Sequence, residues 1–401
     1  MGTIISHKQK YFHILYILFN YLLIIDSING VLLALGIPLP ISMLYKLLII
    51  ALLLPSYICQ PRHNGTSFFT SLYIILLSSY FALYIDVDSI FDSLSLYIRF
   101  IILPLALWFF TKGSQDYPEL AYHYSKRIIY INAAVICCNI ALSMIGIGYT
   151  SYGEGIGNKG FFYAANEVSG LIILLFGLVL FISKILSKKA EFYILAFLFF
   201  VFSVSFGTKT AMGGFLIILI YIILNFSRSN KRYNKIVTYI FLAIFVPLVV
   251  YVGYKFIDSI GLLERWKYFY DKSDDIITFM LSGRNEFWAQ EKNEILSHGF
   301  FGILCGIGGN RTVEMDPFDV FLNYGVIGVV LIYSFWIKMI YNAYKYSKFN
   351  QMAKIVLFID CELIIFSVFT GHIIFSAMLT PFIALINSLV CIRDEIILIN
   401  K

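Results

Sequence analysis

Apolar runs of about 20 residues recur along the whole chain, and they limit its fold more than any other feature. Hydrophobic residues make up 60% of the 401 positions and charged residues only 13%, against about 25% charged in a typical soluble domain. About 20 apolar residues are needed to cross a hydrocarbon core of about 30 Å as a helix, and helices satisfy their own backbone polar groups there. The sequence therefore predicts an all-α, polytopic membrane helix bundle.

We predict twelve transmembrane helices, with ends uncertain by several residues. Their spans are 11–34, 41–59, 68–84, 94–111, 128–148, 161–184, 191–207, 210–226, 236–257, 319–341, 354–371 and 373–391. They divide the chain into 1–257 with helices one to nine, a large loop at 258–318, and 319–401 with helices ten to twelve and a tail. The first span contains Asp26 and Asn29, and two others are short, so eleven or thirteen helices would also fit.

Alternate loops are basic, which fixes the expected orientation. Lys and Arg collect in the connections on one side, at Arg62, Lys112, Lys126, Arg127, Lys184, Lys188, Lys189, Arg228, Lys231, Arg232, Lys235, Lys345, Lys348 and Lys354. By the positive-inside rule these loops and both termini are cytoplasmic. The net charge of +6 follows from this bias, so no nucleic-acid partner is expected.

The segment from Asp258 to Asp319 is the one long polar stretch, and it falls on the opposite, external side. It holds 17 of the 54 charged side chains. In a bacterial inner-membrane protein this side is the periplasm. Cys305 is the only cysteine in the segment, so neither a disulfide nor a zinc site of the CxxC type is expected there. We expect the chemistry of the chain to lie on this face.

Polar residues at the ends of other spans are predicted to reach the same face. Asn166 and Glu167 lie at the outer end of the sixth span, Lys209 in the turn between the seventh and eighth, and His372 in the turn between the last two. Ionisable groups near a bilayer surface are costly unless paired or wetted, which makes them functional candidates. Snorkelling to the interface is the alternative for the lysine.

Asp26 and Arg99 lie deeper in their spans than these outer residues. They could form a structural pair between two helices, and neither is expected to be catalytic.

Two clusters stand out in the large loop. In the first, Ser282 is predicted to cap a helix that places Arg284 and Trp288 on one face. Trp288 could stack on a sugar ring or simply pack the loop onto the membrane.

The second cluster is a Gly-rich turn that ends in Arg311 and leads into an acidic run. Gly-rich backbone and Arg both suit phosphate oxygens, although the glycine pattern alone is weak. Glu314, Asp316 and Asp319 follow at the mouth of the tenth span. Acids here could cap the helix, act as a general base or bind a divalent metal.

These patches, in this order, resemble the O-antigen polymerases of the Wzy type, within a group that also includes the O-antigen ligases. The resemblance covers the whole chain in topology. Its residues are Ser282 to Trp288, the Gly-rich turn to Gly309, Glu314 to Asp319 with Gly325 and Gly328, Thr208 to Thr210, Thr370 to His372, and Asn166 with Glu167. Ligases usually show a His-Asn pair where this chain has Glu314 to Asp319, and that departure favours the polymerase.

The resemblance implies a metal-independent, GT-C-like membrane glycosyltransferase without a cofactor. Its substrate would be an oligosaccharide linked to undecaprenyl pyrophosphate, polymerised at the periplasmic face of the inner membrane, with membrane lipid and a chain-length regulator protein as further partners. Arg284, Arg311 and Lys209 would then bind pyrophosphate. Glu314, Asp316, Asp319 or His372 would supply the base, and Trp288, Asn166 and Glu167 would contact substrate.

Two other classes remain open. A transporter or flippase shares the topology of twelve spans with both termini inside, but such carriers place charges at the bilayer midplane and show two similar halves. An accessory scaffold for envelope assembly would make the clustered arginines and acids incidental.

Overall fold

The computed structural model is almost entirely helical, which confirms the predicted all-α class. It describes residues 7–59, 71, 73–78, 90–152, 156–226, 275–308 and 311–392, with isolated positions between 254 and 273. Helix makes up 81% of the residues that the structure describes. Within the described ranges there is no β-strand, and the only bridge joins Tyr149 to Gly160.

Fifteen α-helices lie in the described ranges. In chain order they are α1 (His7–Asn20), α2 (Leu22–Ala34), α3 (Ile41–Ile58), α4 (Ile90–Asp116), α5 (Pro118–Met144), α6 (Ala165–Leu171), α7 (Gly177–Ile185), α8 (Lys189–Phe206), α9 (Lys209–Asn225), α10 (Ile276–Leu281), α11 (Arg284–Ser297), α12 (Gly299–Cys305), α13 (Asp316–Ser347), α14 (Gln351–Phe369) and α15 (Thr380–Ser388). A π-helical turn, Ile172–Phe176, joins α6 to α7.

Six helices in the described ranges are long and apolar enough to cross a membrane. They are α3, α4, α5, the continuous Ala165–Ile185, α8 and α13, and α1 with α2 makes a seventh if this pair, bent by 42°, is one span. The count of twelve stays a prediction, because 236–257 and most of 68–84 lie outside the described residues. The last predicted span, 373–391, becomes helical only at Thr380.

The chain forms two compact units, Met1–Asn132 with Gly283–Lys401, and Ala133–Ser282. In the first unit α4 packs against α3 and α15, and α13 packs against α12 and α14. In the second, α8 and α9 pack around Ala165–Ile185. That span is 94% buried, against 28–56% for the other five single-helix spans, so it is the interior helix of its unit.

Helix α13 is broken at Gly325, and the break separates its short first piece from the longer remainder. Gly325 has φ 62°, a left-handed conformation open mainly to glycine. A Cβ atom there would lie 2.4 Å from the carbonyl oxygen of Leu304, and Ile307 donates a backbone hydrogen bond to Leu322 at 2.8 Å. This part of the Gly-rich turn therefore serves close backbone packing of α12 on α13.

Asp26 forms an ion pair with Lys46, and not with Arg99 as the sequence analysis considered. Its Oδ1 lies 2.7 Å from Nζ of Lys46, and Ser42 also donates to it. Lys46 stands on α3, directly across from α2, whereas Arg99 belongs to α4. The pairing of Asp26 with Arg99 is therefore wrong.

Candidate active site

The four predicted acid or base residues meet around the start of α13 in the first unit. Asp316 and Asp319 lie in its first turn, and Glu314 immediately precedes it. His372 comes from the irregular segment between α14 and α15. Residues from two distant parts of the sequence thus surround one helix end.

Asp316 is fully buried and holds the segment that carries His372. Its Oδ1 accepts a hydrogen bond from the backbone N–H of His372. Its Oδ2 accepts from Ile373 at 2.8 Å and from Ile374 at 2.7 Å. Three backbone N–H groups thus bind one side chain, so Asp316 holds this segment in a non-helical arrangement, and α15 begins only at Thr380.

Asp319 likewise binds the segment that leads into α13, at Thr312 and Val313. It is also buried, and it accepts hydrogen bonds from the backbone N–H of Val313 at 2.5 Å and from Oγ1 of Thr312 at 3.2 Å. Thr312 and Asn323 were not singled out from the sequence. Asn323 stands four residues after Asp319 on the same helix, and its amide binds the backbone N–H and C=O of Arg311; that spacing was the available signal.

Arg284 and Glu314 form an ion pair that opens to solvent. Nε and Nη2 of Arg284 donate to Oε2 of Glu314 at 3.2 and 2.9 Å, and Nη1 donates to the carbonyl oxygen of Phe369 at 2.8 Å. The arginine side chain is 13% exposed and the glutamate side chain 49%. The cation is therefore held in place while its carboxylate partner remains accessible.

Glu314 and His372 share an uncommon backbone conformation. Their φ angles are 57° and 65°, and among the described residues only Ser187 and Ser282 are further non-glycine residues with positive φ. The two segments touch: a Cβ at Gly371 would lie 2.7 Å from the backbone of Glu314. Left-handed backbone costs about 1–2 kcal/mol for such residues and is often found at functional sites.

Asp316, Asp319 and His372 are spaced closely enough to be compared with a metal site. One ligand atom from each of Asp316, Asp319 and His372 lies within 4.8 Å of the others. Both oxygens of Asp316 are already directed at backbone N–H groups, so this set offers a hard cation fewer lone pairs than its spacing implies.

Arg311 forms ion pairs with two glutamates of α11 instead of joining the cluster around Glu314. Its Nη1 donates to Oε2 of Glu291 at 2.8 Å, and Nη2 donates to Oε1 of Glu294 at 2.5 Å. The hydrogen bond to Glu291, reinforced by Glu294, raises the pKa of Arg311 above its ordinary value. The guanidinium is thus paired with α11.

Trp288 packs against α13, and the expected helix start shifts by one residue. Its ring lies 4.5 Å from that of Phe318 and 6.2 Å from that of Phe321, between centroids. Ser282 does not cap α11: it is the left-handed C-cap of α10, and Gly283 takes the N-cap position without a side-chain bond. The ring contacts of Trp288 with Phe318 and Phe321 correspond to the second of its two predicted roles, packing of the loop, rather than to stacking on a sugar ring.

The remaining predicted residues gather within the second unit. Asn166 and Glu167 begin α6, and Glu167 is buried. Lys209 begins α9, with Nζ 4.4 Å from the ring centroid of Phe279. Hydroxyls of Ser169 and Thr208, 2.7 Å apart, join the starts of the two helices.

No known family model matches the chain, and no characterised protein or solved structure is significantly similar to it. The assignment of a function therefore depends on the geometry of the site and on the resemblance of its short motifs.

Proposed function

We propose that the chain is a membrane glycosyltransferase of the O-antigen polymerase type. It would transfer a growing glycan from undecaprenyl pyrophosphate to a new lipid-linked repeat unit at the periplasmic face of the bacterial inner membrane. One observation supports this above the others: an accessible carboxylate, Glu314, is bound to a positioned arginine, Arg284, beside His372. The apolar helices long enough to cross a membrane support a substrate that is carried on a membrane lipid.

The reaction needs a base and a cation at neighbouring positions. A sugar hydroxyl of the acceptor attacks the anomeric carbon of the donor, the bond from that carbon to the phosphate oxygen breaks, and the pyrophosphate leaves with the electron pair. The hydroxyl proton passes to the base. Arg284 would stabilise the charge that develops on the leaving phosphate.

Glu314 is the preferred base. Both carboxylates of α13 are buried and accept backbone hydrogen bonds, so Asp316 and Asp319 act in this proposal as positioning residues. Glu314 is half exposed and receives hydrogen bonds from Arg284 at Oε2. A pyrophosphate that draws Arg284 toward itself would release this carboxylate, which couples donor binding to the base. His372 is the second candidate.

The other assigned residues have weaker support. Arg311 would have to leave Glu291 and Glu294 to bind pyrophosphate, so its first role in the proposal is to anchor α11. Substrate contacts for Trp288, Asn166 and Glu167, a pyrophosphate contact for Lys209, the metal-independent GT-C-like chemistry and a chain-length regulator partner follow from the resemblance.

The test is a strain from which the gene is deleted, examined by lipopolysaccharide gel. A single repeat unit on the core indicates a lost polymerase, whereas core without any repeat indicates a ligase or a flippase and would overturn the proposal. Complementation with Arg284→Ala should restore the inserted protein but not the long polymer. Normal polymer at wild-type protein levels would exclude the role of Arg284.

A further inference from the structure

Three large apolar side chains are exposed where α11 ends and α12 begins. Phe300 and Phe301 of α12 are 71% and 75% exposed, and Leu296, near the end of α11, is exposed as well. The two phenylalanine rings contact each other edge to face, with centroids 5.9 Å apart. Single exposed apolar side chains are common on proteins, whereas neighbouring ones mark a surface that contacts something apolar. We call these three residues the apolar corner.

The opposite side of α12 is packed against α11, which keeps the two rings on the outside. Gly302 is buried, and a Cβ atom there would lie 2.9 Å from the carbonyl oxygen of Ile295. Ile295 is itself buried. The inner side of α12 is therefore filled by backbone and by Ile295, and Phe300 and Phe301 form its outer side.

The far end of α12 is held at the break in α13. A Cβ atom at Gly325 would lie 2.4 Å from the carbonyl oxygen of Leu304, and one at Gly306 would lie 2.5 Å from the backbone nitrogen of Tyr324. Phe301 is three residues before Leu304, which is roughly 4.5 Å along the helix at 1.5 Å per residue. The apolar corner thus lies close to the point where the longer part of α13 begins.

Beyond this break the exposed surface of α13 is apolar. From Gly325 to Ile337 the exposed residues are Val326, Ile327, Val330, Ser334 and Ile337. The hydroxyl of Ser334 donates to the carbonyl oxygen of Leu331 at 2.6 Å, so this group is satisfied without water. Helix α13 is long and apolar enough to cross a membrane, and such a surface suits lipid chains. The apolar corner lies at the beginning of this surface.

A basic residue flanks the apolar corner on the same side of α11. Lys292 is exposed and lies four residues before Leu296, a spacing that places two side chains on one helix face. Segments that lie in the membrane interface combine Phe and Leu with Lys or Arg, because the apolar groups enter the lipid while the cations meet its phosphates. Lys292, Leu296, Phe300 and Phe301 provide both kinds of group.

We propose that the apolar corner inserts into the phospholipid bilayer at the boundary between headgroups and acyl chains. Phe300, Phe301 and Leu296 would enter the lipid, with Lys292 at the phosphates. The corner would then fix the end of α11, whose first residue, Arg284, belongs to the candidate active site. The large polar loop would thus be tied to the membrane at a second place besides its junction with α13. The proposal does not depend on the reaction proposed above.

Photo-cross-linking of the full-length protein tests this insertion, in nanodiscs of phosphatidylglycerol and phosphatidylcholine in equal parts. Phe301→p-benzoylphenylalanine should form phospholipid adducts, detected by their mass. The matched control is Gln290→p-benzoylphenylalanine, at an exposed position about 120° around α11 from Leu296. The adduct yield at 301 should exceed that at 290 about tenfold or more, since transfer of one Phe ring out of water favours the apolar phase by about that factor. Val330→p-benzoylphenylalanine, on the apolar surface of α13, is the positive control.

Fluorescence of Phe301→Trp gives the depth of the corner independently. Lipids brominated near the headgroup end of their acyl chains should quench the added Trp beyond the quenching seen in the wild type, and more strongly than lipids brominated near the terminal methyl. Lipid adducts at 330 without any at 301, equal yields at 301 and 290, or no added quenching would each overturn the proposal. Adducts at 301 that join two copies of the chain instead of lipid would overturn it in favour of an interface between copies.

Discussion

Two of the ion pairs in the first unit have nearly equal lengths but differ in their access to solvent. Lys46 and Asp26 are 2.7 Å apart, with side chains 7% and 3% exposed. Arg284 and Glu314 are 2.9 Å apart, with side chains 13% and 49% exposed. We name them the closed pair and the open pair. A closed pair can only stabilise the fold, whereas an open pair can exchange its partner for a ligand.

Their surroundings explain the difference. The closed pair joins α2 to α3, where Ser42 adds a further hydrogen bond to both charged groups. The open pair joins the start of α11 to a residue with left-handed backbone. Distance alone therefore does not separate the two pairs, whereas the exposure of the acid does.

The largest loss of stability is expected from Lys46→Met. Removal of one member of a buried pair leaves an uncompensated charge and costs about 3–5 kcal/mol. Denaturation in a mixed detergent series would measure it. The double variant Asp26→Leu with Lys46→Met should recover most of that loss, and a double variant as unstable as the single one would show that the closed pair acts through packing instead.

Gly325→Ala should cost about 2–5 kcal/mol. Left-handed backbone contributes about 1–2 kcal/mol, and overlap with the backbone near Leu304 contributes about 1–3 kcal/mol. The same denaturation series measures the change. Gly213→Ala is the matched control, because a Cβ there meets no atom within 4 Å; equal effects would mean that the break in α13 does not position the acids near the open pair.

Asp316→Asn should cost about 1–3 kcal/mol, the range for leaving buried polar groups unsatisfied. The amide has one oxygen to offer three backbone N–H donors. Polymer formation should fall as well, since the segment with His372 loses its anchor. Asp92→Asn, at an exposed position in the first turn of α4, should change neither stability nor polymer formation. Full polymer formation by Asp316→Asn would show that the activity does not depend on the hydrogen bonds from Asp316 to the segment with His372.

The sequence predicted the helical class, and it singled out Arg284, Glu314 and His372, which lie together in the structure. It could not predict how the charges pair. Asp26 binds Lys46 rather than Arg99 because the rotation of each helix is set by packing across the whole bundle. Likewise, no local pattern shows that two carboxylates are occupied by backbone N–H groups 6 to 58 residues away.

The smallest effect on stability, and the largest on activity, is expected from Glu314→Gln. An exposed ion pair contributes about 0.2–1 kcal/mol, so the variant should unfold nearly as the wild type does. A lost general base should slow the transfer about 100- to 10,000-fold, read as the disappearance of long polymer on the lipopolysaccharide gel. Glu286→Gln, on the exposed face of α11, should keep the polymer. If Glu314→Gln retains full polymer while His372→Gln at equal protein level loses it, the base is the histidine, and the open pair serves only to position Arg284.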